Sequence, residues 1–340
     1  MLIQKFHDQL QLLLRNKSGV ISLLYVCSVL LMLLVFLLSM SIRMTDTDLW
    51  YHLTGGRFLF ETGQLANPLD KSFIEPRREF LNYFWGFQAI AFSIWDVSGY
   101  LGMIVTKASL TLGTAWFLAK IVVMDKRFSQ AGFWQLVLLS LIVFLLSTRF
   151  SFRPHVFSYF FTAFFIYTLM YRGKWFRILP LATILWVNIH GVEWVIGGLI
   201  CGSYVLQRSF AYMKNRDIQS LRSSLWVVAC LPAVLVNPEG IYLFLAPFIT
   251  PSGVYEFVSE LTKLQFATSI SFAPGLTTDN VFLLLFPLGI FSLIQAGRQF
   301  EQYIFTILLA VGGLFYCHAG HVSSGSDCCS RRPCLRWVFN

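Results

Sequence analysis

The residues best suited to chemistry in this chain come directly after its first long apolar run. Residues 44–60 read MTDTDLWYHLTGGRFLF, in which Asp46 and Asp48 stand near His52 and Arg57. A carboxylate placed here can act as a general base that takes a proton from an incoming hydroxyl group. Together with His52, a carboxylate could instead hold a divalent metal ion. The sequence leaves both interpretations open, beside a third in which Asp48 only caps a helix.

A second group of candidates is cationic. The stretch STRFSFRPH, residues 147–155, carries Arg149, Arg153 and His155 around a proline. Guanidinium groups offer forked donors to phosphate oxygens, so this group predicts a cradle for a lipid phosphate or pyrophosphate. The alternative is a pair of arginines that only extend their charged ends to a membrane surface.

A third group of candidates lies in LWVNIHGVEWV, residues 185–195, where Asn188 and His190 precede a glycine between two short apolar segments. A histidine in an apolar segment is often a packing residue, but this one has polar neighbours on both sides. We therefore interpret it as a binding residue. The residues assigned to substrate binding are His52, Arg57, Asn188 and His190.

The composition indicates where these residues act. The chain has 340 residues, of which 56% are hydrophobic and 13% charged, and its mean hydropathy is +0.65. These values are typical of a polytopic membrane protein. The net charge of +9 is spread over short Lys and Arg clusters between apolar segments, which indicates cytoplasmic loops rather than a surface for nucleic acid.

The pattern of apolar runs predicts an all-α integral membrane protein with about nine transmembrane helices. The predicted spans are 20–42, 100–123, 132–149, 155–171, 178–189, 191–207, 223–236, 280–297 and 300–316. Residues 1–19 are expected to be an amphipathic cytoplasmic segment, and residues 20–316 the transmembrane domain. Residues 317–340 combine cysteine and histidine without apolar periodicity, and we interpret this tail as a truncated or frameshifted end.

Residues 43–99 are expected to form a long first outer loop with interfacial helices at 49–61 and 80–95. If 80–95 crossed the membrane, the basic stretches at 125–127 and 171–177 would fall outside, whereas an interfacial helix leaves both inside with the N-terminus. The second arrangement places the acidic, cationic and Asn-His motifs together at the outer face of the cytoplasmic membrane.

The order of these motifs resembles that of the GT-C superfamily of membrane glycosyltransferases, over about residues 20–310. The segments that carry the resemblance are DTDLWYHLTGGRFLFETGQLANPLDKSF, LNYFWGFQ, RPHVFSYFF, LWVNIHG and NPEG. The resemblance implies an acidic residue in the first outer loop as catalytic base, a role that falls on Asp46 or Asp48. It also implies that Arg149, Arg153 or His155 binds the donor phosphate. At NYFW the chain has Tyr83 and Phe84 where the family pattern has a His-Glu pair.

The expected activity is that of an inverting hexosyl- or pentosyltransferase. It would move a sugar from a polyprenyl-phosphate donor to a glycan, lipid or protein acceptor at the outer face of the cytoplasmic membrane. Membrane lipid is a further expected partner, and nucleic acid is not. No cofactor is assigned, and a divalent metal stays an open possibility. The alternatives are a transporter or flippase of a lipid-linked glycan, or an inactive fragment of such a protein.

The predicted topology can be tested with a reporter that is active only in the periplasm. A fusion at Asp70, in the first outer loop, should be active, and a fusion at Lys214, in a predicted cytoplasmic loop, should be silent, because positive loops stay inside. The opposite pattern would contradict the topology.

Overall fold

The part of the chain described by the computed structural model is helical. It comprises residues 48–67, 82–124, 151–216 and 218–249, with the single positions 30, 34 and 37, and these residues contain no strand. The helices are α1 (Asp48–Thr62), α2 (Trp85–Met124), α3 (Pro154–Tyr171), α4 (Leu179–Ile189), α5 (Trp194–Asn215), α6 (Ile218–Val228), α7 (Cys230–Ala233) and α8 (Ile241–Ile249). Short 3₁₀ helices occur at Gly173–Ile178 and Gly191–Glu193. The prediction of an all-α fold is confirmed for these residues.

Five of the predicted spans fall on described helices, and one of these helices is long and apolar enough to cross a membrane by length and composition. That helix is α2, over residues 85–121. The predicted spans at 132–149, 280–297 and 300–316 lie outside the described residues, as do the predicted N-terminal segment, the tail and all of the predicted span 20–42 except positions 30, 34 and 37. At 11 residues, α4 extends for roughly 16 Å, which is short against a hydrocarbon core of about 30 Å.

Helix α2 is broken at Gly99, whose φ of 56° and ψ of −147° are not helical. Residues with a side chain rarely adopt this conformation, so a glycine is needed here. The break falls between the predicted interfacial helix at 80–95 and the predicted span at 100–123. It permits the two halves of α2 to take different directions, as those two roles would require.

Helix α1 has nearly the bounds that the sequence predicts. It ends before Gly63, whose φ is 69° and whose N–H donates to the carbonyl of Leu59 at 2.9 Å. This left-handed residue is a common way for a helix to end. At the other end, Asp48 is the first residue of the helix rather than a residue before it.

Helix α1 packs against α2 through two adjacent glycines, Gly55 and Gly56. A Cβ atom at Gly56 would lie 2.2 Å from the carbonyl oxygen of Gln88 and 2.6 Å from Cβ of Phe92. Leu49 and Leu53 have the apolar side chains expected on the bilayer-facing side of an interfacial helix, but they are buried at 2% and 5% exposure. They are buried because α1 and α2 approach closely enough to cover this face of α1.

The chain divides into two compact units, the first being Met1–Gly197 with Ala229–Leu243 and the second Gly198–Val228 with Phe244–Asn340. In the first unit α3 packs between α2 and α4 through aromatic rings, including a stacked pair of Phe161 and Trp186 at 5.6 Å. In the second unit the Arg208 guanidinium donates to the Tyr204 hydroxyl at 3.0 Å. All of the described candidate site residues lie in the first unit.

Replacing Gly56 with alanine should destabilise the protein by about 1–3 kcal/mol, because the new Cβ would clash with backbone atoms that no side-chain rotation can move. Thermal unfolding of the purified protein in detergent measures the effect. The matched control is Gly202→Ala, since Gly202 is also helical and a Cβ there meets nothing within 4 Å. Equal melting temperatures for the two variants would contradict the packing of α1 on α2.

Candidate functional site

The candidate base and a candidate phosphate ligand are in direct contact. Nη2 of Arg153 lies 3.0 Å from Oδ2 of Asp48, although the two residues are about a hundred positions apart in the chain. The Asp48 side chain is 53% exposed and that of Arg153 21% exposed. The pair therefore lies at an edge of the first unit, where a substrate can reach it.

Local sequence places Arg153 at this position. Pro154 is the first residue of α3, and a residue before proline favours extended backbone. Arg153 is indeed extended, with φ −130° and ψ 165°. Its side chain thus leaves the chain at the amino end of α3, where the helix dipole also favours an anion.

His52 lies one turn after Asp48 and faces the protein interior. It is buried at 4% exposure, and its ring packs edge-on against the rings of Phe84 at 5.6 Å and Phe87 at 4.8 Å. The i, i+4 spacing from Asp48 puts both side chains on one side of α1, as the sequence predicts. Phe84 also packs against the ring of His190 at 5.5 Å, so an apolar ring lies between two histidines.

His190 belongs to a hydrogen-bonded chain whose other members, Trp186 and Ser158, are buried. Nε1 of Trp186 donates to Oγ of Ser158 at 2.8 Å, and the same oxygen lies 2.7 Å from Nδ1 of His190. Because Ser158 accepts from the indole, its own proton can be donated to Nδ1 of the histidine. A neutral ring in this arrangement carries its proton on Nε2 and can act there as a donor.

The surroundings of His190 favour the neutral ring. Burial, together with the neighbouring His155 and His52, lowers the pKa of His190 to about 3. His52 of α1, His155 of α3 and His190 at the carboxyl end of α4 therefore lie near one another, as the sequence motifs suggested. The ring of His155 also packs against that of Tyr159 at 5.5 Å.

Asn188 joins three segments of the first unit. Its Oδ1 accepts from Nε1 of Trp85 at 2.9 Å, and its Nδ2 donates to the carbonyls of Ile184 at 2.7 Å and Val236 at 2.8 Å. A Cβ atom at Gly86 would lie 2.5 Å from the Asn188 carbonyl oxygen. The geometry thus gives Asn188 a positioning role, and its predicted role in substrate binding finds no support in these contacts.

Arg57 points away from the other candidates. At roughly 100° per residue, the nine residues from Asp48 to Arg57 turn the side chain to about the opposite face of α1. Arg57 is exposed and its Nε pairs with Oε1 of Glu61 at 2.7 Å. The structure does not bring it to the Asp48–Arg153 pair.

Two polar residues beside the site were missed by the sequence analysis. Asn82 donates from Nδ2 to Oε1 of Gln88 at 2.9 Å, and both residues are buried. The Tyr51 hydroxyl lies close by: burial raises its pKa and the charge of Asp48 adds to this rise, while Gln88 opposes it. A glutamine within the apolar run FWGFQAIAF was the one sequence signal for this group.

The NPEG motif forms a turn against the same region. The Oδ1 atom of Asn237 accepts from the N–H of Glu239 at 2.8 Å, and Gly240 has a φ of 51°. Burial raises the pKa of the Tyr83 hydroxyl, and the charge of Glu239 raises it further. The N–H of Gly191 donates to the carbonyl of Tyr83 at 2.9 Å. The described residues of all five segments that carry the family resemblance therefore lie in the first unit.

The described residues do not fit a divalent metal site. Among them no three His, Cys, Asp or Glu side chains come together closely enough to hold a metal ion. The guanidinium 3.0 Å from Asp48 would also repel a cation at that carboxylate. Asp46 and Arg149 lie outside the described residues, so their predicted roles stay predictions.

The buried neutral His190 should make stability depend on pH. Its folded-state pKa of about 3 lies below the ordinary value of 6.5, so unfolding at lower pH lets the ring bind a proton. The free energy of unfolding therefore keeps its full value above about pH 6.5. As the pH drops below that value, it falls by up to about 1.4 kcal/mol per pH unit. Thermal unfolding between about pH 6.5 and 5 should show this loss, and His190→Asn should reduce it. An unchanged slope in the variant would contradict the assignment.

Comparison with known proteins adds no relative from which a role could be transferred. No protein-family model matches the chain, and no curated protein or solved structure is significantly similar to it. Assignments of function therefore depend on the residues and contacts described above.

Proposed function

We propose that this chain is an integral membrane glycosyltransferase of the GT-C type. It moves a sugar from a polyprenyl-phosphate donor to a glycan, lipid or protein acceptor at the outer face of the cytoplasmic membrane. The observation that carries the proposal is the 3.0 Å contact between Asp48 and Arg153. It brings a candidate base and a candidate phosphate ligand within reach of one substrate.

The membrane arrangement is part of the same proposal. About nine spans, with the amino end inside, place the motifs on one side of the bilayer. Two facts support this. Helix α2 is long and apolar enough to span a membrane. The Asp48 and Arg153 side chains are 3.0 Å apart, so they would lie at the same depth relative to the membrane. The exposed aromatic residues of α1, Trp50 and Phe60, would then lie in the headgroup layer.

The proposed reaction is a single displacement. The acceptor hydroxyl oxygen attacks the anomeric carbon of the donor sugar while the bond from that carbon to the phosphate oxygen breaks. Asp48, or Asp46, takes the hydroxyl proton, and the polyprenyl phosphate leaves with the bonding electron pair. Arg153 and His155, with Arg149, stabilise the phosphate, and the sugar carbon is inverted.

Arg153 serves two partners in this scheme. In the structure its guanidinium binds Asp48, which leaves less of the carboxylate available to a hydroxyl group. A donor phosphate competes for the same forked donors with more charge and more acceptor oxygens. Donor binding thus releases Asp48, and the base becomes available when there is a sugar to transfer.

His190 is proposed to orient a bound group rather than to transfer a proton. Its Nδ1 atom is bound by Ser158, so a neutral ring presents Nε2–H as a donor. A pKa of about 3 keeps the ring neutral at physiological pH. It can therefore donate to a sugar hydroxyl or phosphate oxygen without adding charge to the site.

A transporter or flippase of a lipid-linked glycan is the second candidate function. The observation that favours it is Lys107, which is completely buried within α2, the helix that is long and apolar enough to cross a membrane. Ionisable groups at membrane depth often mark a transport path. In a transferase Lys107→Met should leave sugar transfer intact if the variant folds, whereas a transporter with Lys107 in its path should lose transport.

Asp48→Asn should lower sugar transfer by at least about a hundredfold, because the amide cannot take the proton of the acceptor hydroxyl. Mass analysis of cell-envelope glycans, in cells whose own gene is deleted and replaced by each variant, measures transfer. The matched control is Asp96→Asn, which removes an exposed carboxylate of α2 outside the site.

The abundance of both variants in the membrane must equal that of the wild type. Arg153→Lys should reduce transfer as well, since a lysine retains the charge but loses the forked donors. If Asp48→Asn transfers sugar at the wild-type rate, Asp48 is not the base. If deletion of the gene changes no envelope glycan, the proposed activity itself is wrong.

A further inference from the structure

Cations and aromatic rings gather at the end of α3 that lies away from Arg153. Helix α3 has 18 residues, so its two ends are separated by roughly 27 Å. Arg153 precedes its first residue, and Arg172 follows its last. The 3₁₀ helix Gly173–Ile178 then adds Lys174 and Arg177.

One buried residue connects this group. The ring of Tyr167, at 1% exposure, lies 6.3 Å from that of Trp116 and 6.2 Å from that of Trp175. Arg172 donates from Nε to the Tyr167 hydroxyl at 2.8 Å and lies over its ring at 5.7 Å. Lys120 of α2 lies over the ring of Trp116 at 5.6 Å. We call these residues, with Lys174 and Arg177, the basic–aromatic cluster.

The charges of the cluster are not balanced within the described part of the chain. None of the ion pairs among the described residues includes Lys120, Arg172, Lys174 or Arg177. Arg172, Lys174 and Arg177 are exposed. The sequence directly after α2 reads Asp-Lys-Arg at 125–127, which adds a further net positive charge.

Stabilisation of the helix explains only part of this arrangement. A cation at the carboxyl end of a helix interacts favourably with the helix dipole, which accounts for Arg172. Lys174 and Arg177 lie beyond the end of α3, so the dipole gives them no comparable role. Nor does it explain why Trp116 and Trp175, at 39% and 37% exposure, lie open beside these cations.

We propose that the basic–aromatic cluster binds the phosphate headgroup of an anionic phospholipid. Exposed indole rings favour the headgroup layer of a bilayer, and lysine and arginine donate to phosphate oxygens. Unbalanced positive charge selects an anionic lipid over a zwitterionic one. Because the cluster lies about 27 Å from Arg153, along a helix of nearly bilayer thickness, the lipid belongs to the leaflet opposite the proposed transferase site.

The test is lipid binding by the purified full chain in detergent, measured by native mass spectrometry. Phosphatidylglycerol is titrated against phosphatidylcholine of the same acyl chains, with inorganic phosphate as a soluble probe. The variant Lys174→Gln/Arg177→Gln removes two exposed charges. The exchanged variant Lys174→Arg/Arg177→Lys keeps them, and the control Arg57→Gln removes an exposed cation of α1 outside the cluster.

The wild type, the exchanged variant and Arg57→Gln should bind phosphatidylglycerol at least fivefold more tightly than phosphatidylcholine. The double glutamine variant should lose that preference. Equal binding of both lipids by the wild type, an unchanged preference in the double glutamine variant, or competition by millimolar inorganic phosphate would each overturn the proposal. No sugar transfer is measured, so this result is independent of whether the proposed function is correct.

Discussion

The contact between α1 and α2 at Gly56 is the constraint on which the site depends. Only a residue without a side chain lets the backbone of α1 approach the Gln88 carbonyl as it does. Asp48 and His52 stand on the preceding turns of α1, so their positions are fixed by that approach. A wider separation would move the carboxylate away from the amino end of α3. The position of the Asp48 carboxylate is thus set by helix packing at Gly56, about two turns further along α1.

The Asp48–Arg153 pair does not itself hold the fold together. An ion pair with side chains 53% and 21% exposed contributes only about 0–1 kcal/mol to stability. The junction around Asn188, by contrast, has two hydrogen bonds between separate segments, from Trp85 and to Val236, and a third within α4. Each hydrogen bond of this kind contributes about 0.5–1.5 kcal/mol to stability. The pair is therefore free to exchange partners while the junction keeps its surroundings in place.

The sequence predicts the local features of this molecule well because they depend on neighbouring residues. The end of α1 at Gly63 and the turn at NPEG follow from backbone preferences that glycine and asparagine carry with them. The convergence of acidic and cationic motifs was expected from their common side in the predicted topology, and in the structure the Asp48 and Arg153 side chains are in contact.

Side-chain roles were less predictable because they depend on which surfaces meet. Leu49 and Leu53 have the apolar character of lipid-facing residues, and nothing local distinguishes lipid from a packed neighbour. Asn188 has the character of a binding residue, but the approach of Trp85 and Val236 engages its amide. Helical spacing alone places the Arg57 side chain about half a rotation from that of Asp48, and so outside the site.

Helix α3 has an arginine at each end, and the helix dipole favours only one of them. A cation at the carboxyl end of a helix is favoured by the helix dipole, but Arg153 stands at the amino end, where the dipole opposes a positive charge. Such a residue needs an anion beside it, and in the structure Asp48 is that anion. A phosphate at the same place would be stabilised by the arginine and by the helix together. The amino end of α3 is therefore an anion site, with a carboxylate of the protein bound in it.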